Sequence, residues 1–220
     1  MSAAERLDPD APPVDPNVGR RMEMEEFLDL CETTGRRYER HRGVVVAPPE
    51  GMSGARVGHN KVADDIQGEL RDAFKIRGDD CTAYRADQCV RSEEFDKDCY
   101  PDVVAHCGPG TFIDRTEDRV LVDPCLAVEV LSESTGRYDH DGKFGIYQSI
   151  PSLTEYLVVD PHGVSVKLFR RLPTGWFLQQ FTELDAAVEL ESVRVSLPMA
   201  EIYRRVLLIE NPTAGGEPAG

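Results

Sequence analysis

The chain has 220 residues, which is enough for one large domain or two small ones at roughly 150 residues per domain. Hydrophobic residues make up 40% and charged residues 30%, which is typical of a folded protein with an apolar core. The net charge of −15 argues against a protein that coats nucleic acid through bulk electrostatics, since duplex DNA is itself densely negative. Contact with DNA would depend on a local basic strip, for which the candidates are Arg36, Arg37, Arg40, Arg42, Arg170 and Arg171.

The two ends of the chain differ in composition from the middle. Residues 1–20 are rich in Ala, Pro and Asp, and residues 211–220 contain little that can pack, so we expect both segments to be disordered. Residues 21–210 then form one domain, because nothing within them has the composition of a linker. We expect a cytoplasmic protein, since the sequence has neither a secretory signal pattern nor an apolar run near the ~20 residues that span a bilayer.

The cysteines are spread along the chain without a CxxC pair. Zinc ribbons and redox dithiols normally need that close spacing, so structural zinc is not expected. We expect reduced, mostly buried thiols. The six cysteines are Cys31, Cys81, Cys89, Cys99, Cys107 and Cys125.

The first predicted elements are a helix, a hairpin and a second, longer helix. Apolar residues at helical spacing predict a short helix over residues 22–30. Gly43 is the expected turn residue between two short strands. A longer helix is predicted over about residues 55–77, where one apolar stripe recurs every four positions and Gly78 provides the end. The stripe consists of Val62, Ile66, Leu70 and Phe74.

The remaining elements alternate between strands and helices, which predicts an α/β or α+β fold around a mixed sheet. The run at 125–131 is apolar almost throughout, as is typical of a strand buried on both faces. Pro198 is the expected start of the last helix. The other predicted strands cover residues 81–91, 102–107, 155–159, 164–169 and 176–181, and another helix covers residues 138–149.

Glu129 stands out because it is a carboxylate within the apolar run 125–131. Its burial is costly unless it is paired, hydrogen-bonded or bound to a cation, so a buried salt bridge with an arginine is one interpretation. Asp102 follows Pro101 at a strand start, where an aspartate is often only a turn or cap residue. As neighbours in one sheet, however, the two carboxylates would supply the oxygen ligands that Mg²⁺ prefers.

Lys143 is the candidate for the cation that a phosphodiester-cleaving site needs beside its metal. It lies on the helix directly after the Glu129 strand, from which its amine could point back to the sheet. A solvated lysine, or a helical ion pair with Asp139 four residues earlier, is the alternative interpretation.

An ordered series of motifs resembles the Uma family of restriction endonucleases, a branch of the PD-(D/E)xK nuclease superfamily. The resemblance extends from about Met22 to Ile209. The matching residues are Tyr38-Glu39 with Gly43, His59, Pro101-Asp102-Val103, Glu129 to Thr135, Asp139, Lys143, Tyr147, Ile150 to Tyr156, Leu197-Pro198 and Ile202-Tyr203.

The resemblance implies a restriction-endonuclease-like fold, in which helices flank a mixed central sheet. It also implies that Asp102, Glu129 and the backbone carbonyl of Val130 bind Mg²⁺ or Mn²⁺. Lys143 would orient the attacking water or stabilise the charge of the transition state.

The resemblance also includes residues outside the group of Asp102, Glu129 and Lys143. Glu39 matches an acidic position near the site that binds a second metal or water. His59 matches either a supporting residue of the site or a surface histidine. Ser132 and Ser134 match helix-capping positions.

The sequence departs from the superfamily pattern in two places. The superfamily lysine normally stands two residues after the glutamate, where this chain has Leu131, so Lys143 can substitute only if it reaches the same point. Acids often flank the hairpin glycine, but here Arg42 and Val44 do, which weakens the case for a second metal.

We therefore predict a Mg²⁺-dependent endonuclease that hydrolyses DNA phosphodiester bonds. The alternative is a catalytically silent nuclease-fold protein with a binding or regulatory role, which the acidic net charge favours. A small-molecule metallohydrolase would use the same acids without a basic groove. Because one site per chain must cut two DNA strands, we expect a homodimer.

Overall fold

A computed structural model describes residues 15–47, 57–113, 119–131 and 138–210, without the side chains of residues 138–142 and 207–210. The described residues form four helices and thirteen strands. The helices are α1 (Met24–Thr34), α2 (Val57–Arg77), α3 (Tyr138–Gln148) and α4 (Met199–Glu210). The strands are β1 (Glu39–His41), β2 (Val44–Val46), β3 (Cys81–Arg85), β4 (Cys89–Ser92), β5 (Lys97–Cys99), β6 (Val103–Cys107), β7 (Val120–Leu121), β8 (Leu126–Val130), β9 (Glu155–Asp160), β10 (Ser165–Leu172), β11 (Gly175–Phe181), β12 (Ala187–Leu190) and β13 (Val195–Pro198).

The larger sheet has six strands in the order β11-β10-β9-β8-β6-β3. It is mixed, because β8 and β9 run parallel while the other neighbours are antiparallel. β8 is buried at every position, as its apolar sequence predicts. Helices α2 and α4 and the β12–β13 hairpin cover one face of this sheet. The predicted fold class, a mixed central sheet flanked by helices, is confirmed.

A second sheet has five strands in the order β2-β1-β5-β4-β7. Tyr147 of α3 packs in one apolar cluster with Val90 and Cys99 of this sheet and with Ala127 and Val158 of the larger sheet. Helix α3 therefore contacts both sheets through Tyr147. A separate cluster joins α1 to the five-stranded sheet.

The predicted hairpin and long helix are both present. Arg42 and Gly43 have φ values of 51° and 76°, the left-handed pair that a tight two-residue turn between β1 and β2 requires. Gly78 follows α2 with φ 66°, a conformation that glycine adopts without strain and that ends a helix. Of the described helices, none is long and apolar enough to cross a bilayer.

The segment 81–91, which we predicted as one strand, forms two strands in different sheets. A turn in which the Gln88 N–H donates to the Arg85 carbonyl separates β3 from β4. The short strands β5, β7, β12 and β13 were not predicted, because two to four residues contain too few alternations to establish a period.

Residues 15–20 are ordered, although we expected disorder as far as Arg20. Asp15 accepts a hydrogen bond of 2.6 Å from the Tyr38 hydroxyl, and the Gly19 N–H donates to the Val45 carbonyl at 2.8 Å. The sequence did not reveal this because single polar contacts produce no apolar period. The rest of the two segments that we expected to be disordered, residues 1–14 and 211–220, lies outside the described residues.

The expectation of reduced thiols is wrong for one pair. Cys81 and Cys107 form a disulfide between β3 and β6, where they are direct partners in the strand register. They are 26 residues apart in sequence, so only the strand pairing brings them together. The other four cysteines are free thiols, of which Cys89 and Cys99 are buried.

Candidate functional site

Asp102 and Glu129 lie opposite each other on neighbouring strands of the larger sheet. Val103 pairs with Val128 in the antiparallel register of β6 and β8, so the next step places Asp102 across from Glu129. Directly opposed side chains stand on the same face, with Cβ atoms about 5 Å apart. Both carboxylates are buried, at 5% and 7% exposure. The predicted acidic pair is thus brought together.

Asp102 is held by the end of β8 and by α2. The Val130 N–H donates to Asp102 Oδ2 at 2.8 Å, and His59 Nε2 lies 3.1 Å from the same oxygen. Burial lowers the pKa of His59, but its hydrogen bond to Asp102 and the carboxylate charge outweigh this and raise the pKa above its usual value. The surface-histidine interpretation of His59 is therefore wrong, because its side chain is turned into the site.

Glu129 receives a donor on each of its two oxygens. Lys143 Nζ lies 2.9 Å from Oε2, and the Tyr147 hydroxyl donates to Oε1 at 2.6 Å. Burial raises the pKa of Glu129 to about 7. The Lys143 charge lowers this pKa, and the Asp102 charge raises it further. The buried carboxylate is thus in a salt bridge, with a lysine of the following helix instead of an arginine.

Glu39 reaches the same region from the five-stranded sheet. Its Oε2 lies 2.7 Å from Lys97 Nζ, and both side chains are largely buried. Burial lowers the pKa of Lys143, but the charges of Glu129, Glu39 and Asp102 outweigh this and raise it. The Lys143 amine is thus bonded to Glu129 and is also under the influence of two further carboxylate charges.

Sequence reasoning left Lys97 out and gave Tyr147 no role. Lys97 stands in the three-residue strand β5, which has no recognisable period. Tyr147 had a usable signal: it follows Lys143 by four residues, so the two side chains share one face of α3. The side chain of Asp139, the other partner suggested for Lys143, lies outside the described residues, as do Ser132 and Ser134.

Most arginines of the candidate basic strip form ion pairs or hydrogen bonds with other residues of the protein. Arg36 pairs with Asp15, and Arg37 pairs with Asp87. Arg40 is buried against Asp98 at 2.8 Å. Arg170 and Arg171 are similarly engaged, the first by Glu155 and the second by backbone carbonyls and the Trp176 ring. Five of the six candidate arginines are therefore paired or hydrogen-bonded, while Arg42 is exposed.

The comparisons with known proteins agree with this fold. The Uma2 family model, described as "Putative restriction endonuclease", matches residues 24–200. Two relatives come from Synechocystis sp. The first, "Uncharacterized protein slr1290", is 29% identical over 185 residues, which cover 84% of this chain and 92% of the relative. The second, "Uncharacterized protein sll1609", is 26% identical over 171 residues, which cover 77% of this chain and 93% of the relative. A crystal structure described as "a putative nuclease belonging to DUF820", from Anabaena variabilis, shares the fold with a TM-score of 0.61 at 16% identity, covering 81% of this chain and 98% of that chain. Because the family model matches most of the chain, the protein belongs to the Uma2 family.

Proposed function

We propose that this protein is a Mg²⁺-dependent endonuclease that hydrolyses DNA phosphodiester bonds with Asp102, Glu129 and Lys143. One observation carries the proposal: two buried carboxylates oppose each other across β6 and β8, and an amine lies 2.9 Å from one of them. Burying two like charges side by side is costly, and a divalent cation would offset that cost. Family membership supports nuclease chemistry as the use of this arrangement.

The donor set fits Mg²⁺ or Mn²⁺ better than zinc. Asp102 and Glu129 offer carboxylate oxygens, whereas structural zinc sites are built mainly from cysteine and histidine. Mg²⁺ needs only one or two carboxylates and keeps several of its waters. Asp102 and Glu129 would be these ligands, with the backbone carbonyl of Val130 as a third.

The chain's own residues would position and neutralise the reacting groups. A bound cation would supply polarisation of a phosphoryl oxygen and activation of a water. Lys143 would orient that water or donate to the phosphate, where negative charge develops during hydrolysis. His59 would hold Asp102 through Oδ2, and Glu39 would contribute further negative charge as the ligand of a second metal or water.

The test is a nicking assay on supercoiled plasmid and on branched DNA, with Mg²⁺, with Mn²⁺ and with EDTA. We expect cleavage with either metal and none with EDTA. The alternative function, a catalytically silent protein that binds DNA or regulates a partner, is favoured by the neutralised arginines and the net charge of −15. Metal-independent binding without nicking under any condition would select that alternative.

Glu129 gives the metal-free protein a characteristic pH dependence of stability. Its pKa is raised from the usual 4.5 to about 7, so between these values the folded state binds a proton that the unfolded state lacks. This contribution to the free energy of unfolding is therefore complete below about pH 4.5 and is lost as the pH rises through 7. At about 1.4 kcal/mol per pKa unit, the loss is on the order of 3 kcal/mol.

Urea unfolding of the wild type and of Glu129→Gln at pH 5 and pH 8 measures this contribution. We expect the wild type to lose more stability than the variant over this range. Mg²⁺ should reduce the loss, because it binds the carboxylate that the proton leaves. The same pH slope in both proteins would contradict a protonated Glu129.

Strand β11 supports the further proposal that the protein acts as a homodimer. It is the edge strand of the six-stranded sheet, and its seven residues include no charged one. Phe177 and Leu178 are about half exposed. A long, uncharged edge strand presents backbone N–H and C=O groups with which another strand can pair. A second copy of β11 can pair with it antiparallel about a twofold axis. Two chains with a net charge of −15 approach most easily along such an uncharged segment.

We expect light scattering coupled to size exclusion to give twice the mass of one chain for the wild type. Leu178→Lys places a charge on the paired strand and should yield monomers at the same concentration. The control is Leu184→Lys, which adds the same charge at an exposed leucine beyond β11 and should remain dimeric. A monomeric wild type, or a dimer that survives Leu178→Lys, would exclude this interface.

A further inference from the structure

Lys143 and Tyr147 occupy different oxygens of Glu129, and they differ in how they are held. The Tyr147 hydroxyl is neutral, fully buried and close to the Cys99 thiol, with an oxygen–sulfur distance of 3.9 Å. If it left Glu129, it would lose a 2.6 Å hydrogen bond inside the apolar layer between the two sheets. A buried hydroxyl without a partner costs about 1–3 kcal/mol, so Tyr147 should stay in place.

Lys143, unlike Tyr147, has access to solvent. Its side chain retains 16% exposure, and a flexible four-carbon stem carries the amine. The amine lies 2.9 Å from Glu129 Oε2, and the charges of Glu39 and Asp102 add to the negative potential there. A divalent cation bound by Asp102 and Glu129 would be attracted to the same place. Two cations cannot both be close to Glu129 Oε2 without strong repulsion.

We propose that Lys143 and the divalent cation compete for Glu129 Oε2, and that metal binding releases the amine toward the substrate phosphate. Tyr147 keeps Oε1 throughout and so fixes the orientation of the carboxylate. The lysine thereby stabilises the metal-free protein, in which it neutralises a buried carboxylate, and contacts substrate only in the metal-bound protein. This inference rests on the proposed metal-dependent function and adds to it a coupling between metal and lysine.

The coupling predicts that removal of the lysine tightens metal binding. Calorimetric titration of the DNA-free protein with Mn²⁺ should show Lys143→Met binding on the order of tenfold more tightly than wild type, because a charged hydrogen bond to Oε2 no longer has to be broken. Lys143→Arg keeps a competing cation and should bind like wild type. Tyr147→Phe should bind no more tightly than wild type, since its hydroxyl is not displaced.

Lys75→Met is the matched control, because it removes one positive charge from an exposed position near the end of α2. It should leave Mn²⁺ affinity unchanged, so that a general charge effect is separated from competition at Oε2. Two results would contradict the proposed competition without contradicting metal binding itself. In the first, Lys143→Met binds Mn²⁺ no more tightly than wild type. In the second, Tyr147→Phe is the variant that binds Mn²⁺ more tightly. If neither wild type nor any variant binds Mn²⁺, the proposed function fails with it.

A measurement on the wild type covers the case in which Lys143→Met does not fold. Acetylation of lysine amines, followed by mass spectrometry, reports how readily each amine leaves its partner. We expect Mn²⁺ to raise the acetylation rate of Lys143 severalfold relative to that of Lys75. A rate for Lys143 that Mn²⁺ leaves unchanged or lowers would contradict its release.

Discussion

Asp102→Asn and Glu129→Gln are each expected to lower the Mg²⁺-dependent nicking rate at least about 100-fold, which is the scale of removing one preorganised electrostatic group from an active site. Each substitution keeps the size of the side chain and removes one negative charge from the pair that would hold the cation. Lys143→Met should lower nicking by a similar factor even though we expect it to bind metal more tightly. This opposite effect on binding and cleavage separates Lys143 from the two acids.

The fold should survive these changes, so the loss can be attributed to chemistry. An amide oxygen at position 102 can still accept from the Val130 N–H, as Asp102 does at 2.8 Å. Asp72→Asn, which makes the same change at an exposed carboxylate of α2, should nick like wild type. Circular dichroism verifies folding. Wild-type rates in a folded Asp102→Asn variant would rule out the proposed metal pair.

The central sheet could be predicted because its sequence signals are local. The apolar run of β8 and the stripe of α2 each identify their element without reference to the rest of the chain. The juxtaposition of Asp102 and Glu129 was less accessible, because it depends on the register of β6 against β8, and no local pattern encodes that register. The family resemblance supplied the pairing that the spacing could not.

Contacts between the two sheets could not be predicted from the sequence either, because no local pattern encodes them. The charge of Glu39, on the short strand β1, acts on Lys143 of α3, a helix whose Tyr147 packs with residues of both sheets. The disulfide between Cys81 and Cys107 likewise depends on the pairing of two strands. Long-range pairings of this kind require the tertiary structure.

A second buried glutamate illustrates what sequence reasoning could not distinguish. Glu155 begins the apolar strand β9, and it is only 1% exposed. Its two oxygens accept from Arg170 Nε at 2.8 Å, from the N–H groups of Glu191 and Ser192, and from the Ser192 hydroxyl at 2.6 Å. Glu155 thus joins β9 and β10 to the turn after β12, and all its described partners are donors. Glu129, in contrast, faces a second carboxylate.

This difference predicts opposite outcomes for the two glutamates. Glu155→Ala should lower the free energy of unfolding by about 3–5 kcal/mol, because it leaves the Arg170 Nε and two backbone N–H groups without their acceptor. Glu129→Gln should lower it far less at pH 6, where burial already favours the protonated carboxyl. Urea unfolding at pH 6 measures both, and nicking by Glu155→Ala below its unfolding transition should persist at a rate within a fewfold of wild type. Equal destabilisation by the two substitutions would mean that Glu129, like Glu155, serves the fold and not a metal site.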